Sequence, residues 1–439
     1  MSTASFSIRQ IHLDSMAAIV PALAFSRPRH ESGVAVSQTV AATIAAVRER
    51  GDDAVIDEVR RFDWPCPDPA HLRVTASALR DALDAAPPDL RSAMTQAAAS
   101  IRTFHERQVP AGASELVAAG SRAGLRAIPV ASAGLYVPGG RAAYPSTLLM
   151  LAIPARIANV PRIAVCSPAG EDGLPAPAVL AAASLLGIDE VYGIGGAAAV
   201  AALAHGTATI PRVAKVFGPG NAWVAEAKRQ VFGTTGVEAI AGPTELVVLS
   251  DGSAPARWIA ADLLAQAEHD VEASAILLTT DRAEPARVLA EISREIEGSP
   301  RAAVQRESLA RRGAVVTCAR PEIACAAAAE LAPEHLSVMT REPEAWAADV
   351  PTAAAVFLGP FAPEAAGDYG AGPNHSLPTG GSARFASPVG VWDFVRLQSY
   401  LELDRAALAR MRPWMETLAM AEGLAGHARS LAVRDEEAP

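Results

Sequence analysis

RIAVCSP at residues 162–168, EVYGIGG at 190–196 and AKVFGPG at 214–220 are short apolar runs that end in glycine or proline. Each run is followed by a segment with helical character, so strands alternate with helices along the chain. Parallel strands are joined by crossover connections, and a helix is the usual crossover. The alternation therefore predicts an α/β fold with a parallel sheet and right-handed connections.

A second series of the same kind follows toward the C-terminus. Its candidate strands are LVVLS, AILLTT, AVVTCA and AAVFLG, and ARWIAADLLAQAEH is one of the helices between them. We therefore expect two α/β units in tandem. The chain before about Arg126 is predicted to be helical, and the chain after Phe385 is predicted to be a helical C-terminal extension rather than a third sheet.

Composition argues against several classes of function. The chain has 439 residues and a formal charge of −10, and it has no basic stripe that could contact a phosphate backbone. The charge therefore argues against a nucleic-acid-binding protein. No stretch approaches about 18 uninterrupted apolar residues, and the N-terminus lacks a signal-peptide pattern, so we expect a cytoplasmic protein without a membrane segment. Four scattered cysteines are predicted to be buried thiols: Cys66, Cys166, Cys318 and Cys325.

Three glycine-rich turns join predicted strands to predicted helices: LYVPGG at 135–140, YGIGG at 192–196 and FGPGN at 217–221. Such turns let a phosphate approach the positive end of a helix, which makes a nucleotide site physically reasonable. None of them matches the G-x-G-x-x-G fingerprint, and glycine is also common at these turns for steric reasons alone. Both interpretations stay open.

Gln266 and His269 in DLLAQAEHD lie three residues apart, and hence on one face of a predicted helix. The pair is either part of a metal site or a solvated surface pair. Zinc takes about four ligands. Further candidates occur downstream in EAAGDYGAGPNH and EGLAGH, namely Asp368, Asn374, His375, Glu422 and His427. Spacing alone does not bring these residues together.

Glu334 and His335 in LAPEHL are adjacent proton-transfer groups of different ordinary pKa. An oxidation that removes a hydride needs a base for the alcohol proton, and a histidine suits that role near neutral pH. The alternative is an exposed dipeptide without a chemical role.

Seven motifs, taken together, are far more specific than any one of them. They are, in order, GLYVPGG, FGPGNAWVAEAKRQVFG, AGPTELVV, DLLAQAEH, APEHL, GDYGAGPNHSLPTGG and AEGLAGH. In this order and at about these separations the chain resembles the histidinol dehydrogenase family, from about Ser37 to the C-terminus. The resemblance implies a homodimer of chains with two incomplete Rossmann-like domains. It also implies that the C-terminal extension reaches into the active site of the second subunit.

The resemblance assigns roles to individual residues. The zinc-ligand positions fall on Gln266, His269, Asp368 and His427. The catalytic positions fall on Glu334 and His335, and the NAD-contacting positions fall on Tyr136, Ala198 and Asn221. The substrate-contacting positions are Thr244, Gln266, His269, His335, Asp368, Glu422 and His427.

Two of these positions depart from the family pattern. Ala198 stands where a glutamine usually contacts the cofactor, and Thr244 stands where a serine contacts the substrate. The first departure removes a polar contact to NAD. The second keeps the hydroxyl and adds a methyl group.

The expected domain division follows from the resemblance. Residues 1–30 form an N-terminal arm, and residues 31–135 with 244–385 form the first Rossmann-like domain, which holds the catalytic and zinc residues. Residues 136–243 form the second domain, with the NAD-binding turns, and residues 386–439 form the C-terminal extension.

The family reaction is the oxidation of L-histidinol to L-histidine through an aldehyde, with two NAD⁺, as the last step of histidine biosynthesis. The resemblance implies one zinc ion per subunit that holds the imidazole and amino group of the substrate. It also implies that His335 takes the alcohol proton and that Glu334 activates the water that hydrates the aldehyde.

Two alternatives remain at this stage. A paralogous zinc- and NAD-dependent dehydrogenase of another small polar alcohol, such as a sulfonated propanediol, is left open by Ala198 and Thr244. Glu422 favours the amino alcohol, because a carboxylate can pair with an ammonium group. A catalytically silent, metabolite-binding relative is the other alternative, and the intact Glu334 and His335 argue against it.

Overall fold

A computed structural model of the chain describes residues 7–26, 33–66, 68–139 and 143–436. The strands are β1 (Arg9–Leu13), β2 (Ala113–Ala118), β3 (Ser121–Pro129), β4 (Ala133–Tyr136), β5 (Ile163–Ser167), β6 (Val191–Gly193), β7 (Lys215–Phe217), β8 (Gly236–Val237), β9 (Glu245–Ser250), β10 (Ser274–Thr279), β11 (Ala314–Cys318), β12 (His335–Met339), β13 (Ala355–Leu358) and β14 (Val395–Leu403). The α-helices are α1 (Ile19–Ala22), α2 (Val34–Arg50), α3 (Asp52–Phe62), α4 (Ala76–Ala85), α5 (Pro88–His105), α6 (Pro145–Ile157), α7 (Pro177–Leu185), α8 (Gly196–His205), α9 (Ala222–Val231), α10 (Ala256–Ala267), α11 (Glu284–Ile296), α12 (Ala302–Arg312), α13 (Pro321–Leu331), α14 (Pro343–Ala348), α15 (Glu364–Asp368), α16 (Arg405–Ala421) and α17 (Ala425–Glu436).

Six parallel strands form one sheet in the order β1-β11-β10-β9-β12-β13. Successive residues of β9 enter two different apolar clusters: Leu246 and Val248 face one, and Val247 and Leu249 face the other. A parallel strand that is buried on both faces reads as an uninterrupted apolar run, which is the pattern of LVVLS.

The register of this sheet sets the position of the site. His335 of β12 lies opposite Leu246 of β9. Glu334, the residue just before β12, therefore lies opposite Glu245, and Thr244, the residue just before β9, contacts it at the same edge of the sheet.

Five parallel strands form the second sheet in the order β6-β5-β4-β7-β8. Helices of the N-terminal quarter pack against the helices of this sheet: α2 contacts α8 and α9, α4 contacts α7, and α5 contacts α6. The two parallel sheets confirm the predicted α/β class, and β5, β6 and β7 are the strands predicted from the three opening motifs.

The structure differs from the sequence prediction in three places. The predicted N-terminal arm contains β1, which pairs with β11 at the edge of the six-stranded sheet. The chain after Phe385 contains a strand as well as helices, because β14 pairs with β3 in a three-stranded antiparallel sheet with β2. Residues 34–105 pack on the five-stranded sheet, whereas the prediction assigned them to the other unit.

All four cysteines are buried and unpaired, as predicted. Within the described residues, no helix combines the length and the apolar character that a membrane crossing requires.

A buried ion pair holds one of the glycine-rich turns. Lys228 of α9 and Glu238 approach to 2.7 Å, and both side chains are almost fully buried. Lys228 Nζ donates to the carbonyl oxygen of Gly218 at 3.0 Å, and the backbone N–H of Gly218 donates to Glu238 Oε1 at 2.7 Å. Gly218 has a φ of +117°, and a Cβ there would lie 2.0 Å from the carbonyl oxygen of Tyr136. The ion pair thus fixes a turn that only glycine can form.

Lys228→Met is expected to lower the free energy of unfolding by about 3–5 kcal/mol, because it leaves the Glu238 carboxylate buried without its partner. The exposed pair of Arg287 and Asp281 supplies the control, since Arg287→Met breaks an ion pair that remains in contact with water. Denaturant unfolding measures both variants. Equal effects of the two substitutions would contradict the role given to the buried pair.

Candidate active site

A hydrogen-bonded chain of side chains forms where β9 and β12 begin. Thr244 Oγ1 donates to Glu334 Oε2 at 2.6 Å, and the backbone N–H of Glu245 donates to the same oxygen at 2.9 Å. Gln266 of α10 donates from Nε2 to Thr244 Oγ1 at 3.1 Å. The Gln266 amide is therefore oriented, and its buried Oε1 is left without a hydrogen-bond partner among the described residues.

His335, the first residue of β12, is buried beside this network. Its Nδ1 lies 3.1 Å from the carbonyl oxygen of Glu245, so Nδ1 carries the proton and donates it to that oxygen. Burial lowers the pKa of His335 to about 4. The ring is therefore neutral near pH 7, and its Nε2 is an unprotonated base.

The pKa of Glu334 is shifted in the opposite direction from that of His335. Burial raises the pKa of its carboxyl well above the ordinary value, while the hydrogen bonds from Thr244 and from the Glu245 N–H act to lower it. A buried carboxyl group of raised pKa holds a proton more readily than an exposed one and can exchange it with a neighbouring group. Glu334 and His335 thus form an acid–base pair, with 3.6 Å between Glu334 Oε2 and His335 Nδ1.

A group of metal-binding side chains adjoins this pair. His269 Nε2 lies 3.9 Å from Asp368 Oδ2, and the donor atoms of His269, Asp368 and Glu364 all lie within 4.8 Å of one another. These nitrogen and oxygen donors, together with the unpartnered Oε1 of Gln266, fit zinc. Glu364 was missed from the sequence, although its position four residues before Asp368 places both on one face of α15.

Asn374 and His375, the other two candidates from the segment EAAGDYGAGPNH, have different surroundings. His375 is near Asp368, with Nδ1 3.0 Å from the backbone oxygen of that residue. Asn374 is buried, donates from Nδ2 to the carbonyl oxygen of Met150 at 2.6 Å and accepts from the N–H of Ser376 at 2.9 Å. Its side chain therefore supports the loop.

Glu422 and His427 lie apart from this site. Both are exposed and line a groove between α16 and α17, together with the apolar residues Trp414, Leu418 and Leu424. His427 does not belong to the group of potential metal ligands formed by the described residues. One chain thus brings the predicted zinc positions His269 and Asp368 together and leaves His427 outside that group, while Gln266 is bonded to Thr244 in the adjoining network.

The predicted NAD-contacting positions lie at the carboxyl end of the five-stranded sheet. The Tyr136 hydroxyl accepts from the N–H of Gly196 at 3.2 Å. Asn221 caps α9, because its Oδ1 accepts from the backbone N–H of Trp223 and Val224. Ala198 is buried in the first turn of α8.

The Tyr136–Gly196 hydrogen bond joins two of the glycine-rich turns, and the close approach of Gly218 to the carbonyl oxygen of Tyr136 places the third turn beside the first, at the edge where open α/β sheets bind ligands. Gly140, the last residue of the first turn, lies outside the described residues. Asp63 was missed from the sequence, and its Oδ2 accepts from the N–H of Gly195 at 3.0 Å. Burial raises the pKa of Asp63 to about 6.

Comparison with known proteins agrees with this arrangement. A family model described as histidinol dehydrogenase matches residues 26–435. Histidinol dehydrogenase of Bordetella parapertussis is 47% identical over 94% of this chain and 93% of its own length, and that of Gluconobacter oxydans is 48% identical over 92% and 93%. The crystal structure of histidinol dehydrogenase from Elizabethkingia anophelis superposes with a TM-score of 0.92, at 31% identity, over 98% of this chain and 99% of that chain. The resemblance inferred from the motifs is thereby confirmed, and the chain belongs to the histidinol dehydrogenase family.

Proposed function

We propose that the chain oxidises L-histidinol to L-histidine through L-histidinal, with two NAD⁺ and bound zinc, as the last step of histidine biosynthesis. One observation carries the proposal. The acid–base pair of Glu334 and His335 adjoins the oriented amide of Gln266 and the donors of His269 and Asp368, in a chain of this family.

The residues that would hold zinc are Gln266, His269 and Asp368, with His427 from a second copy of the chain. When bound, zinc would fix the imidazole and amino nitrogens of the substrate and so orient its alcohol carbon. Thr244 supports this arrangement, because its hydroxyl links Gln266 to Glu334. The methyl group that distinguishes threonine from serine leaves both hydrogen bonds in place.

The two catalytic residues have separate tasks. His335 Nε2 accepts the proton of the alcohol, which a neutral imidazole can do and an imidazolium cannot. The Thr244 hydroxyl and the Glu245 N–H hold Glu334 as a carboxylate, and this carboxylate accepts a proton from the water that adds to the aldehyde. NAD⁺, when bound, would supply the hydride acceptor for each oxidation.

Tyr136, Ala198 and Asn221 are the proposed NAD-contacting positions. The convergence of their turns beside the N-termini of α8 and α9 supports a nucleotide there. Ala198 offers only a methyl group, so the cofactor must depend more on backbone groups of the turn and on Asn221.

A stoichiometric assay tests the function. The purified protein with zinc is expected to form two NADH for each L-histidinol consumed, because both oxidations occur at one site. Absorbance at the NADH band, together with quantified histidine, measures the ratio. A sulfonated propanediol serves as the competing substrate. Oxidation of that alcohol in preference to L-histidinol would refute the proposal in favour of a paralogous dehydrogenase.

Separate half-reactions test the roles of the catalytic pair. His335→Ala is expected to slow histidinol oxidation by about 10²- to 10⁴-fold, as for loss of a general base. Glu334→Gln is expected to impair the oxidation of supplied histidinal more than a single-turnover first hydride transfer from histidinol. Stopped-flow NADH formation measures both steps. Equal loss in the two steps would mean that Glu334 acts through site geometry instead of water activation.

The C-terminal helices support a shared site. α16 and α17 pack on each other and expose Trp414, Leu418 and Met420, an apolar surface that would be covered by another protein chain. His427 is on these helices and away from the metal-binding group of its own chain. We therefore propose a homodimer in which each extension completes the site of the other subunit.

Subunit complementation tests the dimer. His335→Ala and His427→Ala chains are each expected to be nearly inactive alone. Mixed after reversible dissociation, they are expected to recover part of the activity, because one site of each heterodimer draws only on intact segments. Differently tagged chains and pull-down verify that subunits exchanged. Verified exchange without any recovery would place His427 in the site of its own chain.

A further inference from the structure

Glu364 is the group in this site that the proposed mechanism does not use. Its side chain is only 4% exposed, and both carboxylate oxygens lack a hydrogen-bond partner among the described residues. Its nearest ring nitrogen, His335 Nδ1 at 3.5 Å, directs its proton to the carbonyl oxygen of Glu245 instead. A carboxylate is rarely buried in this way unless a cation compensates it.

The protein surroundings of Glu364 do not supply that cation. Asp368, Glu334 and Asp262 are the charged side chains that act on it most strongly, and all three are acidic. Asp262 is itself buried, with Oδ2 unpartnered. Four acidic side chains thus converge on one region, and among the described residues no lysine or arginine forms an ion pair with Glu364. A divalent cation would compensate them.

We propose that Glu364 is a ligand of the metal ion, so that Gln266, His269, Glu364 and Asp368 give one chain four ligands without His427. This inference rests on the proposed zinc dependence and adds a residue to it. The donor atoms of Glu364, His269 and Asp368 already lie within 4.8 Å of one another, so small side-chain movements close them around an ion. Four nitrogen and oxygen ligands satisfy the usual coordination of zinc.

The position of His427 explains why the Glu364 carboxylate would be needed as a ligand. In one chain, that histidine lies in the groove of the C-terminal helices, away from the metal-binding group. A chain that has not yet dimerised therefore holds zinc through Glu364. On dimerisation, the second copy adds His427 to an ion that is already bound.

Zinc affinity of the full-length chain tests the proposal. Competition with a chromophoric chelator gives the dissociation constant for the unmodified chain, for Glu364→Gln, for His427→Ala and for the double variant. Glu344→Gln is the matched control, because Glu344 is exposed on α14 and loses the same charge. Glu364→Gln is expected to weaken zinc binding about 10- to 100-fold, and Glu344→Gln is expected to leave it unchanged. The double variant is expected to bind zinc more weakly than either single variant, without strict additivity, because the two side chains share one ion.

The outcomes separate this inference from the proposed function. An unmodified chain that binds no zinc would overturn the metal dependence itself. Zinc binding that is equally tight in Glu364→Gln and the unmodified chain would overturn the inference alone.

Thermal unfolding of the metal-free proteins supplies the second measurement. Glu364→Gln removes a buried charge, so it is expected to melt no lower than the metal-free unmodified chain. A much lower melting temperature would show that Glu364 maintains the fold, and the inference would be withdrawn.

Discussion

The parallel pairing of β9 with β12 is the constraint on which the site depends. Its register puts Leu246 opposite His335 and therefore Glu245 beside Glu334. In consequence, the backbone of Glu245 bonds both members of the catalytic pair. A shift of one residue would turn the His335 side chain to the other face of the sheet, because side chains alternate along a strand.

Much of this arrangement could be predicted from sequence. The alternation of apolar runs and helices indicated the two parallel sheets, and the motif order indicated the family. The convergence of Gln266, His269 and Asp368 could not be derived from their spacing, since α10 and α15 meet only in the folded chain. Strand β14 escaped prediction because most of its side chains are exposed and its pattern lacks regular alternation.

Glu364 shows why buried acidic residues are hard to find in a sequence. In PEAAGDYG it reads as an ordinary helix-starting glutamate, a position that the helix dipole favours. Only packing shows that its carboxylate is enclosed among other acids. The nucleotide turns have the same limitation, because the Tyr136 hydroxyl and the Gly196 N–H that join two of them come from segments 60 residues apart.

The support that Glu245 gives to Glu334 and His335 comes from main-chain atoms. Replacement of residue 245 by any amino acid except proline leaves its N–H and carbonyl groups in place. Most substitutions of Glu245 are therefore expected to leave the alignment of Glu334 and His335 unchanged. The side chain at position 245 can change during evolution without moving Glu334 and His335, as long as β9 remains paired with β12.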